Sequence, residues 1–192
     1  MKEILLIGGG GHCRSVIDVI EQEGSFEIAG IIDKTELLGS KLEDYSIIGN
    51  DSDLLSLAKK YHYALITVGQ IKSPLLRMKL FSLANKAGFT LPSIISPYAY
   101  VSKRSSIGNG VIVMHNAIIN SNTSIGDNTI INSQALIEHD CLISDHCHIS
   151  TNATINGGVT VESGCFVGSG ATTKENITIG ANSFIKAGSL VT

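Results

Sequence analysis

An aliphatic side chain recurs at every sixth position through the second half of the chain. Seventeen successive positions from Ile95 to Val191 follow this spacing, and sixteen of them hold isoleucine or valine, the exception being Thr173. Neither the 3.6-residue period of a helix nor the two-residue alternation of a strand produces a strict period of six. Hexapeptide repeats are typical of parallel β-helices, whose triangular coils turn one aliphatic side chain inward from each side. The pattern predicts a left-handed parallel β-helix over residues 93–192.

Small side chains precede most of these aliphatic positions by two residues and are predicted to fill the narrow inner corners of the coils. They are Ala117, Thr123, Thr129, Ala135, Cys141, Cys147, Ala153, Val159, Cys165 and Ala171. Because three of the four cysteines fall in this set, we expect reduced, buried core cysteines rather than disulfides or metal ligands. Four glycines that directly follow an aliphatic position, Gly108, Gly126, Gly168 and Gly180, are predicted to adopt corner conformations that favour glycine.

The first ninety residues alternate apolar runs with helical patterns. Apolar runs predict strands at residues 3–7, 28–32, 46–48 and 64–68 and a short strand at 89–91, and helical patterns follow Gly11 and span 51–61 and 74–86. This order is typical of a parallel sheet with helices on its faces. It predicts a half-Rossmann-like α/β domain over residues 1–92, joined to the β-helix near Pro92 and Pro97.

A run of four glycines, Gly8 to Gly11, separates the first predicted strand from the first helix. This geometry points backbone N–H groups at a phosphate. Asp33 ends the second strand, where a carboxylate can meet a ribose or sugar hydroxyl. A dinucleotide fingerprint would need glycine in place of Cys13, and ninety residues cannot form both halves of a full Rossmann domain. A site for one nucleotide or nucleotide sugar is therefore favoured over NAD, and over a glycine turn that merely connects strand and helix.

Charge and hydropathy argue against two classes of partner. The net charge is −3 and no basic patch is evident, so nucleic-acid binding is not expected. No apolar run approaches the roughly 20 residues that span a bilayer. The opening apolar run is also too short for a signal peptide, which predicts a cytoplasmic protein.

The histidines are the chemically distinctive residues of the repeat region, and they are His115, His139, His146 and His148. Ile137 and Cys141 are predicted to face inward, which leaves His139 facing outward beside Asp140. A carboxylate that orients an imidazole is the pair used in general-base catalysis, although a lone surface histidine is more often inert. His148 precedes inward Ile149 and is predicted to be outward or interfacial. The other two histidines are predicted to be solvated.

Several of these segments together resemble the nucleotide-sugar acyltransferases of the hexapeptide-repeat superfamily. The segments are Ile7-Gly8-Gly9-Gly10-Gly11-His12, Ile31-Ile32-Asp33, Val68-Gly69, Ile137-Glu138-His139-Asp140 and the repeats to Val191. The branch that they resemble contains the bacterial UDP-4-amino-sugar N-acetyltransferases and the sialic acid O-acetyltransferases. Members are homotrimers with active sites in the clefts between neighbouring β-helices, use acetyl-CoA as co-substrate without a metal, and hold the nucleotide on the N-terminal domain.

The resemblance implies a role for eleven residues. His139 matches the general base and Asp140 the acid that supports it. His148, Ser169 and Ala187 match positions that line acetyl-CoA. The sugar-nucleotide side is matched by Gly10, Gly11, His12, Asp33, Lys34 and Gly69. Members often carry two consecutive acids at the second strand, whereas this chain has Lys34 as the second residue.

The sequence thus predicts acetyl transfer to the amino group of a nucleotide-linked amino sugar, for a surface glycan or a nonulosonic acid. No serine or cysteine with its own base is evident, so direct attack by the acceptor is favoured over an acyl-enzyme. One alternative is O-acetylation of a sialic-acid-type sugar, because residues 148–161 resemble that branch. A non-enzymatic scaffold is the other, with zinc held by histidines across a trimer, although their spacing matches no ordinary zinc pattern. The sequence does not distinguish an amine from a hydroxyl acceptor.

Overall fold

The computed structural model describes all residues from Met1 to Thr192, and these fall into two compact units. The first unit comprises Met1–Gly69 and Leu75–Pro92, and the second comprises Gln70–Pro74 and Ser93–Thr192. The short segment between β-strand and helix at residues 70–74 therefore packs with the second unit. No helix is both long enough and apolar enough to cross a bilayer.

The first unit is built on a five-stranded sheet. Its strands are β1 (Lys2–Ile7), β2 (Phe26–Ile32), β3 (Lys41–Leu42), β4 (Tyr45–Gly49) and β5 (Tyr63–Ile66), and its helices are α1 (Gly11–Glu23), α2 (Leu54–Leu57) and α3 (Leu75–Ala87). The strand order is β3-β4-β2-β1-β5, and every neighbouring pair is parallel except β3 and β4. Strand β1 is buried from Ile4 to Ile7, as expected for a central parallel strand covered on both faces.

The predicted α/β architecture is confirmed, with three local corrections. Strand β3 was not predicted, because two residues of a hairpin carry no periodic signal. Residues 89–91 form a single parallel bridge between Tyr63 and Thr90 instead of a strand. The predicted helix at 51–61 begins as a 3-10 turn, Asp51–Asp53, capped by Asn50, and the α-helix itself ends at Leu57.

The second unit is a left-handed parallel β-helix, as predicted. Its seventeen two-residue strands are β6 (Ile94–Ile95), β7 (Tyr100–Val101), β8 (Ser106–Ile107), β9 (Ile112–Val113), β10 (Ile118–Ile119), β11 (Ser124–Ile125), β12 (Ile130–Ile131), β13 (Leu136–Ile137), β14 (Leu142–Ile143), β15 (His148–Ile149), β16 (Thr154–Ile155), β17 (Thr160–Val161), β18 (Phe166–Val167), β19 (Thr172–Thr173), β20 (Thr178–Ile179), β21 (Phe184–Ile185) and β22 (Leu190–Val191). Every third strand joins the same sheet, which gives three parallel sheets. Sheet 1 contains β6, β9, β12, β15, β18 and β21. Sheet 2 contains β7, β10, β13, β16, β19 and β22, and sheet 3 contains β8, β11, β14, β17 and β20.

Each periodic residue is the second residue of a strand and points into the coil. From Val113 to Val167 these residues are at most 3% exposed, and the small residues two positions earlier are buried beside them. The predicted interior is therefore confirmed. Thr173, the only polar member, is also buried, and its hydroxyl accepts a hydrogen bond from the Asn156 backbone N–H at 2.9 Å.

The conformation predicted for the four corner glycines is wrong. From Ile107 to Ile185, backbone φ is positive three residues after each periodic position. This register holds Gly110, Asn116, Asn122, Asn128, Gln134, Asp140, His146, Asn152, Gly158, Gly164, Gly170, Asn176, Asn182 and Gly188. All four predicted glycines lie outside this register. A Cβ on Gly108 would lie 2.5 Å from Asp127 Oδ1, and one on Gly168 would lie 2.5 Å from the Ala187 nitrogen. Glycine is required there because the next coil approaches closely.

We expect Ile143→Ala to lower the melting temperature of the protein strongly, because Ile143 is fully buried in the middle of the β-helix. Replacing a buried isoleucine by alanine typically lowers the free energy of unfolding by about 2–5 kcal/mol. The matched control is Thr178→Ala, which alters an exposed outward residue of sheet 3. Thermal unfolding of both variants tests the inward register, and equal shifts would contradict it.

Candidate active site

His139 and Asp140 form a hydrogen-bonded pair in the turn between β13 and β14. The two atoms that meet are His139 Nδ1 and Asp140 Oδ2, 2.7 Å apart, and both side chains are more than half exposed. Asp140 has φ 60°, a left-handed conformation that aspartate tolerates better than most residues. The predicted pair is therefore formed within one turn.

Asn122, one coil earlier, completes this arrangement. Its Nδ2 donates to Asp140 Oδ1 at 2.6 Å, so each carboxylate oxygen has one partner. The hydrogen bond from Asn122, followed by that from His139, lowers the pKa of the Asp140 carboxyl. An ionised Asp140 carboxylate can only accept a hydrogen bond. In neutral His139 the N–H that donates to it must therefore be on Nδ1. Nε2 is then left with the lone pair that a general base needs.

The imidazole of His139 lies over the backbone of the next coil. A Cβ on Gly157 would lie 2.8 Å from His139 Cε1 and 2.9 Å from Nε2. The ring therefore occupies space that only glycine leaves open. The pair borders an open hollow of about 580 Å³, lined by Glu138, His139, Asp140, Asn156, Gly157, Gly158, Glu175 and Asn176.

His148, predicted to be outward or interfacial, precedes inward Ile149 in β15 and is covered, with 6% of its surface exposed. Its Nδ1–H donates to the Gln70 carbonyl at 2.5 Å, and its Nε2 accepts from Asn132 Nδ2 at 3.0 Å. Phe166 packs its ring edge-on against the imidazole. Gln70 covers this part of sheet 1, so both ring nitrogens of His148 form hydrogen bonds within this chain.

Ser169 and Ala187 are exposed, but they lie on a different edge of the β-helix from His139. His139 is in a turn from sheet 2 to sheet 3, whereas Ser169 and Ala187 are in turns from sheet 1 to sheet 2. A single chain therefore does not bring the predicted general base together with these two residues.

His115 and His146 are half-buried and hydrogen-bonded rather than solvated. His115 Nδ1 lies 2.6 Å from Ser96 Oγ, and His146 Nδ1 lies 3.0 Å from Asn128 Nδ2. Nowhere in the chain do three or more histidine, cysteine, aspartate or glutamate side chains form a group that could hold a metal ion.

The first unit has a cavity of about 490 Å³ at the carboxyl ends of its parallel strands. It is lined by Ile7, Gly8, Ile32, Asp33, Lys34, Thr35, Glu36, Asn50, Asp51, Ser52, Val68, Leu76 and Leu80. Ile7 of β1 and Val68, shortly after β5, both line the cavity. The chain order reverses between these two strands, and open α/β sheets bind ligands at such a point. Of the residues predicted for the sugar nucleotide, Asp33 and Lys34 line this cavity.

The glycine turn differs in detail from its predicted role. The Asp33 carboxylate accepts the Gly9 N–H at 2.5 Å and the Lys34 N–H at 2.7 Å, so it holds the turn itself. Gly10 and Gly11 leave open space at the start of α1. A Cβ on Gly69 would lie 3.3 Å from His12 Cβ. His12 and Gly69 are therefore neighbours outside the cavity lining.

Arg77 supports the end of β5 beside this cavity. Its guanidinium is fully buried and Nη1 donates to the carbonyls of Ile66 and Val68 at 2.5 and 2.9 Å. Burial lowers the pKa of Arg77 to about 9. Arg77 therefore fixes the backbone at Val68, which lines the cavity, although Arg77 itself is not part of the lining.

Two family models match the chain. Residues 3–82 match the PglD N-terminal domain, and residues 104–139 match the bacterial transferase hexapeptide of six repeats. A comparison with curated protein sequences gives no match.

Solved structures match over the whole chain. One is a perosamine N-acetyltransferase from Caulobacter crescentus, with one histidine replaced by asparagine, in complex with CoA and GDP-perosamine. It is 32% identical, with a TM-score of 0.93, and the match covers 100% of this chain and 89% of that one. Another is the acetyltransferase domain of PglB from Neisseria gonorrhoeae in complex with acetyl coenzyme A. It is 28% identical, with a TM-score of 0.90, and the match covers 99% of this chain and 92% of that one.

We expect Gly157→Ala to displace the imidazole of His139, because the added methyl group would occupy the position of the ring edge. A crystal structure of the variant should show the His139 ring moved by about 0.5–1 Å or more, or its bond to Asp140 broken. Gly180→Ala is the control, because Gly180 is another β-helix glycine and a Cβ added there would meet nothing within 4 Å. An unmoved ring in Gly157→Ala would contradict the packing described for this turn.

Proposed function

The chain belongs to the hexapeptide-repeat sugar acetyltransferases that use acetyl-CoA, and on that basis we propose that it acetylates the amino group of a nucleotide-linked amino sugar. The observation that carries the proposal is the His139–Asp140 pair at 2.7 Å, with Nε2 beside an open hollow. The 32% identical relative is an N-acetyltransferase in complex with CoA and GDP-perosamine, which favours an amine over the hydroxyl of a sialic-acid-type sugar.

In the proposed reaction, His139 Nε2 removes a proton from the acceptor amine while the amine nitrogen attacks the thioester carbonyl of acetyl-CoA. A carbon–nitrogen bond forms, the carbon–sulfur bond breaks, and the CoA thiolate takes the proton. Asp140 holds Nδ1–H and stabilises the imidazolium that forms between these steps. Neutral imidazole suits this role near pH 7, and the acceptor attacks directly because all four cysteines are buried.

The complete site requires a second chain in this proposal. His139 lies on one edge of the β-helix and Ser169 and Ala187 lie on another, so acetyl-CoA would pass between the edges of neighbouring protomers. Sheet 2 also presents the exposed apolar side chains of Tyr100 and Leu190, which a neighbouring chain would cover. We therefore propose the homotrimer that the family resemblance implies. The cytoplasmic location and the role in glycan synthesis stay predictions.

The cavity of the first unit is the proposed site for the nucleotide. Asp33 and Lys34 line it directly after β2, at the carboxyl ends of the parallel strands, and Lys34 offers an ammonium group to a diphosphate. The remaining predicted residues of this side, Gly10, Gly11, His12 and Gly69, would shape the approach to it.

We expect purified protein to release CoA from acetyl-CoA with one nucleotide-linked amino sugar in a panel of GDP-, UDP- and dTDP-linked 4-amino sugars, free sialic acid and CMP-linked sialic acid. A thiol reagent measures the CoA. His139→Ala should lower kcat by about two to four orders of magnitude, because the general base is lost.

His62→Ala is the control, since His62 is an exposed histidine of the first unit that contacts Thr90. Near-normal turnover by His139→Ala would exclude His139 as the base. Release of CoA with sialic acids alone would replace N-acetylation by O-acetylation, and no release with any acceptor would argue against both.

We expect Lys34→Ala to raise KM for the nucleotide sugar by about 10- to 100-fold, because hydrogen bonds to charged groups contribute about 1.5–3 kcal/mol. KM for acetyl-CoA should not change. Lys41→Ala removes an exposed lysine of β3 and serves as the control. Initial rates at varied concentrations of each substrate separate the two constants, and an equal rise in both would disprove a specific nucleotide contact.

A further inference from the structure

Asn122 lies 18 residues before Asp140, directly beneath it in the preceding coil. Adjacent strands of one sheet pair at this spacing, as Ser124 does with Leu142. Both Asn122 and Asp140 are in the left-handed register, with φ 62° and 60°. The side chains therefore stack along one edge, and the amide of Asn122 reaches the carboxylate at 2.6 Å.

Asp140 is the only acidic residue in this left-handed register, which otherwise holds asparagine, glycine, one glutamine and one histidine. Asn128 makes a comparable contact to His146 one coil above it, so an asparagine that reaches the next coil is a recurring feature of the fold. At Asp140 the same feature has an added consequence. Asn122 occupies Oδ1 and His139 occupies Oδ2, so rotation of the carboxylate would break both hydrogen bonds.

We propose that Asn122 is a positioning residue for acetyl transfer, fixing the Asp140 carboxylate so that Oδ2 holds His139 Nδ1–H. This inference rests on the proposed role of His139 as general base. Asn122 acts through Asp140 and makes no contact with the reacting atoms in this arrangement. Without its amide, the carboxylate can rotate and the imidazole loses its fixed orientation.

Two substitutions separate positioning from a purely structural role. Asn122→Gly removes the amide and keeps a residue suited to positive φ, where alanine would be strained. Asn122→Asp keeps the size and the tolerance for this conformation but places a carboxylate against a carboxylate. If only the turn mattered, Asn122→Asp would resemble the parent protein. Positioning instead predicts that both variants lose activity, Asn122→Asp more severely.

We expect kcat to fall roughly 10-fold or more in Asn122→Gly, with both KM values unchanged, because misplaced catalytic groups cost rate rather than binding. In a His139→Ala background the same substitution should have no further effect, since Asn122 acts only through His139. Asn116→Gly is the control, because Asn116 is exposed in the same register on another edge. An equal loss in both backgrounds would overturn the proposal.

Titration of the Asp140 carboxyl by NMR provides a readout that does not need activity. Removing the Asn122 amide should raise the pKa of Asp140, whereas Asn116→Gly should leave it unchanged. An unchanged Asp140 titration in Asn122→Gly would overturn the positioning role. If the parent protein proved inactive with every acceptor, the proposed function would fail, and this titration alone would decide whether Asn122 controls Asp140.

Discussion

The stacking of each residue on the one 18 positions away is the constraint on which this structure depends. Parallel pairing between successive coils, such as Ile119 with Ile137, keeps the periodic side chains in columns without a break. Each column of periodic residues is then aliphatic where it faces the interior, apart from Thr173, and the outward columns are more varied. Because the interior is largely aliphatic, polar side chains lie on the outward strand positions and in the turns, and each turn is flanked by the turns of the coils above and below.

The His139–Asp140 pair follows from the backbone of one such turn. Consecutive side chains of an extended strand point to opposite faces, so neighbouring residues do not ordinarily hydrogen-bond through their side chains. Positive φ at Asp140 bends the chain and lets its carboxylate reach the imidazole of the preceding residue. Asparagine and glycine fill most of this register because they tolerate the conformation. An aspartate there keeps the turn and adds a charge that asparagine lacks.

The sequence predicts the β-helix well because neither a helix nor a simple strand sustains a period of six over seventeen positions. It predicts the His139–Asp140 pair because both partners are adjacent. Asn122 and Gly157 were missed, although the coil spacing of 18 would have placed each beside the pair. Gly108, Gly126 and Gly168 were misassigned because a close approach between coils and a positive φ both select glycine, and only the three-dimensional structure separates the two causes.

Residues that depend on distant segments were harder to predict. His148 has the pattern of an outward residue, yet Gln70, 78 positions earlier, covers it and accepts its Nδ1–H. No local pattern encodes such a contact. The same reasoning applies to the cavity of the first unit, where Asn50 and Ser52 join Asp33 only because β4 lies beside β2. Asp33 also holds the glycine turn through Gly9, so a carboxylate expected to meet a ligand first shapes the backbone that would meet it. In the proposed nucleotide site, binding would therefore start from a turn that the protein has already ordered, which lowers the entropy that binding must remove.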